Sequence, residues 1–383
     1  MEKPNYKNGS IVNLMSSVGG AFGVKSMYNE LALLSAKELK DVRNVVLIVL
    51  DGLGYEFLIS KESVLHEGLR GKITSVYPPT TSAAITTFAT GVAPQQHAVT
   101  GWFMHLKEVG TVSTILRFCP RAGGAPFSAQ GVSIIDVLDV KTLSSQMEVS
   151  AYEITRNDLI DSDYSAMVSE GKTVLGYDTL NGFFTQIKQA IQHHKKRKYI
   201  FAYWPSIDSL CHEYGTNSTE VNVHFRELDK KMKAFLRSIQ GTDTTVIITA
   251  DHGLIDVPKE RVIKLADHPK LQEYLTLPFC GDSRTKYCYV HPAKAKQFEA
   301  YVKTKLRNYC EMHTSEDFIK KGYFGLFTQN PKLADRVGDY VLCMKENYIF
   351  FDEVLGENKH INKGNHAGGS KEEMFVPLVV FKV

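Results

Sequence analysis

The stretch Asn44–Leu50 reads NVVLIVL and is followed directly by Asp51. A second apolar run, Thr244–Ala250 (TTVIITA), leads into Asp251 and His252 in the same way. Continuous runs of β-branched residues, separated by segments with helical patterns, are typical of strands in a parallel sheet that is covered on both faces. The two runs therefore predict an α/β fold with a buried, mostly parallel sheet.

A third apolar run, Tyr199–Trp204 (YIFAYW), comes four residues before Asp208, and His212 follows four residues later. Two side chains four residues apart lie on one face of the chain if the segment is helical. Ligands of parallel sheets collect at the carboxyl ends of the strands. We therefore expect these side chains to meet Asp51 and Asp251 at one edge of the sheet.

Carboxylates and imidazoles in these segments, with a later histidine and one threonine hydroxyl, form a candidate ligand set for two metal ions. The set is Asp51, Thr81, Asp208, His212, Asp251, His252 and His366. Two divalent cations a few Å apart can bind both the attacking and the leaving oxygen of an in-line displacement. Three aspartates and three histidines favour zinc but would also accept manganese or iron. A turn-forming role would explain each aspartate alone, but not the histidines beside them.

Thr81 is the candidate nucleophile, in a segment that reads YPPTTSAAITTFATG from Tyr77 to Gly91. The two prolines favour an extended entry, and Gly91 predicts the end of a short helix. A hydroxyl at a helix N-terminus lies beside unpaired N–H groups that can bind a phosphate. Threonine is a weak nucleophile unless it is activated, which nearby metal ligands would explain. Thr80 and Ser82 are competing nucleophiles.

Five ordered motifs resemble the type I phosphodiesterase/nucleotide pyrophosphatase family of the alkaline phosphatase superfamily. They are VLIVLDGLGYEFL, YPPTTSAAITTFATGVAPQQHAVTGW, YWPSIDSLCHEYG, TADHGL and GNHAGG. The resemblance extends from about Asn44 to the C-terminus. It implies an alkaline-phosphatase-like α/β core, and a hydrolase that cleaves phosphodiester or pyrophosphate bonds in nucleotide-like small molecules.

The resemblance also implies a role for each candidate residue. One metal would be held by Asp208, His212 and His366, and the other by Asp51, Asp251, His252 and the hydroxyl of Thr81. Thr81 would attack phosphorus and form a phospho-threonine intermediate. The second metal would lower the pKa of the hydroxyl, and the first would stabilise the leaving oxygen.

One position departs from the family pattern. Phosphodiesterases of the family commonly carry an asparagine 21 residues after the nucleophile, where this chain has Trp102. Indole offers one donor and no acceptor. The backbone N–H of Ser82 or another side chain would then bind the phosphoryl oxygen, and Trp102 would form an apolar wall of the substrate site. A phosphomonoesterase, a phosphonate hydrolase and a non-catalytic, metal-stabilised binding protein remain alternative functions.

The segment between the metal motifs predicts a second structural unit. Residues 257–346 contain short alternating stretches, a helical pattern and several turn signals, which indicate a smaller α+β cap inserted into a core of residues 1–256 and 347–383. Arg284 lies in this segment in the sequence GDSRT. Its fork of donors makes it a candidate phosphate ligand, and an exposed turn is the alternative.

Composition limits the other classes of function. The chain has 383 residues, 43% of them hydrophobic and 23% charged, as in ordinary globular proteins. Its net charge of +3 gives no reason to expect binding to a nucleic acid polymer. We predict no membrane segment, since Ile11–Val24 is interrupted by polar residues. Six cysteines without a C-x-x-C pair predict free thiols and a cytoplasmic location; the oligomeric state is left open.

Overall fold

The computed structural model describes residues 1–357 and 360–383. Its strands are β1 (Asn44–Leu50), β2 (Leu69–Thr74), β3 (Phe103–Leu106), β4 (Thr111–Thr114), β5 (Cys119–Pro120), β6 (Ser150–Arg156), β7 (Thr173–Tyr177), β8 (Lys198–Trp204), β9 (Thr244–Thr249), β10 (Ile255–Asp256), β11 (Val262–Lys264), β12 (Cys280–Gly281), β13 (Thr285–Cys288), β14 (Cys310–Thr314), β15 (Tyr340–Met344), β16 (Ile349–Phe351), β17 (Gly364–Asn365) and β18 (Phe375–Lys382).

The α-helices surround and connect these strands. They are α1 (Ile11–Ala21), α2 (Ala36–Lys40), α3 (Tyr55–Ile59), α4 (Thr81–Thr90), α5 (Pro94–His97), α6 (Ile134–Leu138), α7 (Asp163–Val168), α8 (Leu180–Gln192), α9 (Ser206–Tyr214), α10 (Thr219–Ser238), α11 (Pro269–Gln272), α12 (Ala295–Tyr301), α13 (Ser315–Lys320), α14 (Leu333–Val337) and α15 (Lys371–Met374). No helix of the described residues has both the length and the apolar character that crossing a bilayer requires.

The central sheet runs in the order β2-β18-β9-β1-β8-β6-β7. Strands β9, β1, β8, β6 and β7 are parallel to one another, whereas β18 is antiparallel to β9 and β2. Every residue of β1 is buried, which requires packing on both faces of the sheet. The prediction of an α/β core with a mostly parallel sheet is confirmed.

The register of the central strands places their carboxyl ends at one level. Leu50, the last residue of β1, aligns with Trp204, the last residue of β8. Val49 aligns with Thr249, the last residue of β9. The chain therefore leaves these three neighbouring strands side by side, and the residues that follow them share one edge of the sheet.

Helix α8 illustrates how the core is covered. It begins at Leu180 and packs against β6, β7 and β8 through buried residues that include Phe183 and Ile187. The basic run that follows the helix ends at Lys198, whose side chain is buried. Its ammonium group donates to the carbonyl oxygens of Ala190 (3.3 Å) and Ile191 (2.9 Å). This lysine satisfies carbonyls of the last helical turn and is not part of a solvated cationic surface.

A second, antiparallel sheet has the order β14-β15-β13-β12-β3-β4-β5. Its first four strands come from the segment 257–346, where a cap was predicted, but β3, β4 and β5 come from residues 103–120. The two parts join where Phe103 of β3 pairs with Gly281 of β12. The predicted boundaries therefore omitted three strands, because a pairing between segments so far apart in sequence leaves no local pattern.

Two further sheets of two strands each join residues 255–264 to the C-terminal part of the chain. Strand β16 is parallel to β11, with Val262 aligned to Ile349. Strand β16 was assigned to the core from sequence, yet it pairs within the region predicted as the cap. Strand β10 pairs with β17, whose residue Asn365 precedes His366. These pairings bring the C-terminal histidine back to the edge of the central sheet.

Candidate metal centre and nucleophile

Two buried carboxylates lie just after central strands. Asp51 directly follows β1, and Asp251 comes two residues after the end of β9. Oδ1 of Asp251 accepts hydrogen bonds from the backbone N–H groups of Gly52 (3.2 Å) and His252 (2.9 Å). Asp51 Oδ1 and Asp251 Oδ2 are buried and have no hydrogen-bond partner among the described residues. Buried anionic oxygens without donors are costly unless a cation compensates them, so this pair fits a metal site.

Tyr203 holds the other oxygen of Asp51. This tyrosine lies in β8, beside β1, and its hydroxyl donates a hydrogen bond to Asp51 Oδ2. The contact leaves Oδ1 of Asp51 as the oxygen available to a cation. Tyr203 was missed from sequence, although its place one residue before the end of β8 put it next to Asp51.

Helix α9 supplies two further ligand-type side chains. Asp208 and His212 lie one helical turn apart, with 3.2 Å between Asp208 Oδ2 and His212 Nε2. The backbone N–H of Asp208 donates to the carbonyl of Asp51 at 3.1 Å. Gly52 allows this close approach, since it has a φ of +77° and an added Cβ would lie 3.0 Å from Cα of Asp208. Asp208 Oδ1 is a third buried carboxylate oxygen without a partner among the described residues.

Three imidazoles are oriented by backbone carbonyls. In each ring Nδ1 faces a carbonyl oxygen: His212 faces Gly364 at 2.7 Å, His252 faces Gly253 at 3.1 Å, and His366 faces Pro79 at 3.3 Å. These contacts favour the tautomer with the proton on Nδ1, which leaves the lone pair of Nε2 free to bind a metal. The same arrangement is common in histidines that ligate metals.

The ligand atoms form two overlapping groups, each with atoms within 4.8 Å of one another. One group contains Asp51, Asp251 and His252, and the other contains Asp208, His252 and His366. His212 lies beside the second group, since it contacts Asp208 and its ring centroid is 5.2 Å from that of His366. All six predicted protein ligands other than Thr81 therefore converge on one location, with His252 between the two groups.

The electrostatics of the cluster reflect its crowded charges. Burial, followed by the charges of Asp251 and Asp208, raises the pKa of Asp51. Burial also acts to raise the pKa of Asp208, but the charge and hydrogen bond of His212 outweigh it and hold that pKa low. Burial acts to lower the pKa of His212, and Asp208 overcomes it and raises the value to about 9. Carboxylates that disfavour one another's charge fit a site that receives cations.

Three neighbouring hydroxyls differ in their surroundings at the start of α4. Thr81 Oγ1 lies 3.2 Å from Nε2 of His252. The hydroxyl of Thr80 instead donates to Asp282 Oδ1 at 3.1 Å, and Ser82 Oγ is buried without a partner among the described residues. Helix α4 runs from Thr81 to Thr90, and Gly91, whose φ is +74°, caps its C-terminus where the end of a helix was predicted. Of the three hydroxyls, that of Thr81 lies beside the cluster.

A cavity of about 510 Å³ opens onto Thr81, Asp208, His212 and His366. Its apolar wall consists of Trp102, Phe103, Ile349, Phe350, Phe351 and Ile361, and its polar lining includes Arg117, Asp282, Ser283, Lys286, His360, Asn362 and Asn365. Trp102 thus lies in the wall of the cavity beside the nucleophile. A volume of this size admits a small organic molecule.

Asp282 connects the cavity to the nucleophile segment. Its Oδ1 accepts the hydrogen bond of Thr80, and its Oδ2 accepts one from the backbone N–H of Trp102 at 3.2 Å. Burial raises the pKa of Asp282, and the N–H of Trp102 opposes that effect. An added Cβ at Gly101 would lie 2.8 Å from Asp282 Oδ2, so a glycine is needed there for this approach. Sequence reasoning missed Asp282, although it lies two residues before Arg284 in the same motif.

Arg284, which the sequence suggested as a phosphate ligand, lies outside the lining of the cavity. Its guanidinium is buried and pairs with Glu373, with 2.6 Å between Nε and Oε1. Its two other nitrogens donate to the carbonyl oxygens of Tyr348 and Glu346, both at 2.7 Å. Its donors are therefore committed within the protein, and Arg284 does not line the cavity. Burial, which the sequence did not indicate, converts this candidate phosphate ligand into a structural residue.

Comparison with known families identifies the chain. The family description "Type I phosphodiesterase / nucleotide pyrophosphatase" matches residues 45–368, which is most of the chain. No curated protein sequence is recognisably similar.

Solved structures of related architecture agree with the fold. An inactive variant of murine ectonucleotide pyrophosphatase/phosphodiesterase 5 in complex with AMP superposes with a TM-score of 0.65 at 14% identity, over 87% of each chain. The human protein of the same name gives 0.65 at 13% identity, over 88% of this chain and 87% of that one. Phosphonoacetate hydrolase from Sinorhizobium meliloti 1021 in complex with phosphonoformate gives 0.64 at 15% identity, over 88% and 90%. The family match and the shared fold together show that the chain belongs to the type I phosphodiesterase/nucleotide pyrophosphatase family of hydrolases.

Proposed function

We propose that this hydrolase is metal-dependent and cleaves phosphodiester or pyrophosphate bonds in nucleotide-like small molecules through a phospho-threonine intermediate at Thr81. The observation that carries the proposal is the convergence of three buried carboxylates and three imidazoles around one threonine hydroxyl. Each carboxylate keeps a buried oxygen without a partner among the described residues. The nearest imidazole nitrogen lies 3.2 Å from the hydroxyl.

The residues present fit two cations. Asp51, Asp251, His252 and the hydroxyl of Thr81 would hold one, and Asp208, His212 and His366 would hold the other. When bound, the cations would supply the positive charge that lowers the pKa of the Thr81 hydroxyl and stabilises the leaving oxygen. The mixture of carboxylate and imidazole ligands favours zinc, and manganese or iron would also bind.

The chain's own residues define the two chemical steps. Thr81 Oγ1 loses its proton and forms a bond to phosphorus, while the bond from phosphorus to the leaving oxygen breaks and that oxygen takes up a proton. In the second step water attacks phosphorus, the bond to Oγ1 breaks, and the hydroxyl of Thr81 is restored. The unpaired backbone N–H groups at the start of α4, which include the N–H of Ser82, would bind the phosphoryl oxygens. The hydrogen bond from the hydroxyl of Thr80 to Asp282 supports Thr81 over Thr80 as the nucleophile.

A phosphomonoesterase, a phosphonate hydrolase or a non-catalytic binding protein would use the same residues differently. Diesters carry a second substituent on phosphorus, and the cavity beside Trp102 provides space for one. The phosphoryl group of a monoester carries one more negative charge than that of a diester, and a basic side chain in the site would neutralise it. Arg284 cannot serve in that way because it is paired with Glu373. The space beside Trp102 is the observation that supports diesters over monoesters.

The test compares Thr81→Ala with Asp208→Ala in protein prepared without chelators. We expect Thr81→Ala to lose at least a thousandfold in kcat/KM for bis-p-nitrophenyl phosphate while keeping its bound metal, measured by elemental analysis. Asp208→Ala should lose metal and activity together. Thr80→Val is the matched control for loss of a hydroxyl and should keep most of the activity. Full activity of Thr81→Ala, or a wild-type protein without turnover, would refute the proposal.

A further inference from the structure

Asp282 places a negative charge in the wall of the cavity, next to the segment that carries the nucleophile. The carboxylate lines the same cavity as Thr81, Asp208 and His212. It bonds to Thr80, the residue before Thr81, and to the backbone of Trp102.

No cation neutralises this carboxylate within residues 1–357 and 360–383, where neither a lysine nor an arginine forms an ion pair with it. Lys286, which lines the same cavity, bonds to Asp352 at 2.6 Å instead. Arg117 also lines the cavity, and no ion pair joins it to Asp282 among the described residues.

We propose that Asp282 is a specificity-determining residue that disfavours substrates with a dianionic phosphoryl group, and thereby selects monoanionic diesters. The inference deepens the proposed function and rests on it. A phosphate monoester brings one more negative charge than a diester to the same position. A fixed carboxylate in a cavity of low dielectric repels that extra charge more strongly than it would in water.

Two features of the site support an ionised Asp282. Each of its oxygens accepts a hydrogen bond from a neutral donor, the hydroxyl of Thr80 and the N–H of Trp102, and such bonds favour the carboxylate. The positive charge of Lys286 favours the carboxylate too, although that ammonium group is paired with Asp352.

The test uses two substrates that differ mainly in charge: p-nitrophenyl phosphate, a dianion at pH 8, and methyl p-nitrophenyl phosphate, a monoanion. Wild-type enzyme should prefer the monoanion in kcat/KM. Asp282→Asn keeps the shape and removes the charge, and we expect it to shift the ratio of the two kcat/KM values toward the monoester by about tenfold or more. Asp335→Asn, which removes a carboxylate outside the cavity that pairs with Lys107, is the matched control and should leave the ratio unchanged.

Thr80→Val separates charge from positioning, since it removes one contact of Asp282 but keeps its charge. We expect it to keep most of the activity and to leave the ratio of the two kcat/KM values unchanged. If Asp282→Asn lowers both values in parallel, Asp282 only positions the segment that carries Thr81 and the inference is overturned. A wild-type preference for the dianion would overturn it as well, even if Asp282→Asn did not fold. Failure of the proposed function is distinct, because Thr81→Ala would then retain turnover of both substrates.

Discussion

The hydroxyl oxygen of Thr81 lies 3.2 Å from Nε2 of His252, and Nδ1 of that histidine faces the carbonyl of Gly253. The backbone contact favours a proton on Nδ1, so Nε2 meets the hydroxyl with its lone pair. A metal bound at this nitrogen would therefore also lie beside the threonine oxygen. The relationship joins the proposed nucleophile at the start of α4 to the residue after Asp251, and the two residues are 171 positions apart in sequence.

Trapping tests the proposed phospho-threonine intermediate. We expect mass spectrometry after acid quenching during turnover of methyl p-nitrophenyl phosphate to find a methylphosphoryl group on the peptide that contains Thr81. Thr81→Ser should carry the same group on the serine, since serine also has a hydroxyl on its Cβ and can attack in the same way. Labelling of Ser82 or Thr80 in the wild-type protein would contradict the assignment.

Tyr203→Phe should weaken metal binding. The Tyr203 hydroxyl holds Asp51 Oδ2, and loss of a partner that orients a ligand typically costs about tenfold to a hundredfold in metal affinity. Competition with a fluorescent zinc chelator measures the change. Tyr199→Phe is the matched control on the same strand, because the Tyr199 hydroxyl is buried without a partner among the described residues. Equal metal affinity in the two variants would show that the contact does not support the site.

The metal-free protein should become less stable as the pH rises from about 6.5 through about 9. Burial acts to lower the pKa of His212, but Asp208 raises it from 6.5 to about 9 in the folded protein. A pKa raised by folding gives a stabilisation that is fully present below 6.5 and is lost as the pH rises through 9. The raised pKa of Asp51 acts with the same sign. Urea denaturation in excess chelator, repeated with His212→Asn, measures this slope, which the variant should reduce.

Arg284→Met should affect stability more than catalysis. The buried pair with Glu373 leaves an uncompensated carboxylate when the arginine is removed, and such losses typically cost about 3–5 kcal/mol. Arg261→Met, which removes an exposed pair with Glu346, should cost less than about 1 kcal/mol. Denaturant unfolding measures both changes. If Arg284→Met instead raised KM strongly at unchanged stability, the result would indicate that Arg284 binds phosphate directly.

The fold was predictable where the pattern is local. The apolar runs at β1, β8 and β9 are continuous and buried, so their composition indicated parallel strands. The helical spacing of Asp208 and His212, and the end of α4 at Gly91, also follow from neighbouring residues. By contrast, the second sheet joins β3 to β12, which lie far apart in sequence, and no local pattern specified that pairing. The cytoplasmic location and the identity of the metal stay predictions.

What the sequence by itself determined is the chemistry available at the edge of the central sheet. Ligand-type residues directly follow strong strand patterns, and parallel strands bring their carboxyl ends together, so the convergence of Asp51, Asp208 and Asp251 could be expected. What only the tertiary structure decided is how each polar group is satisfied. Burial and long-range contacts commit Arg284 to Glu373 and turn Asp282 toward Thr80 and Trp102. The two residues lie in one short motif, and their roles differ because charge compensation depends on partners that chain order does not specify.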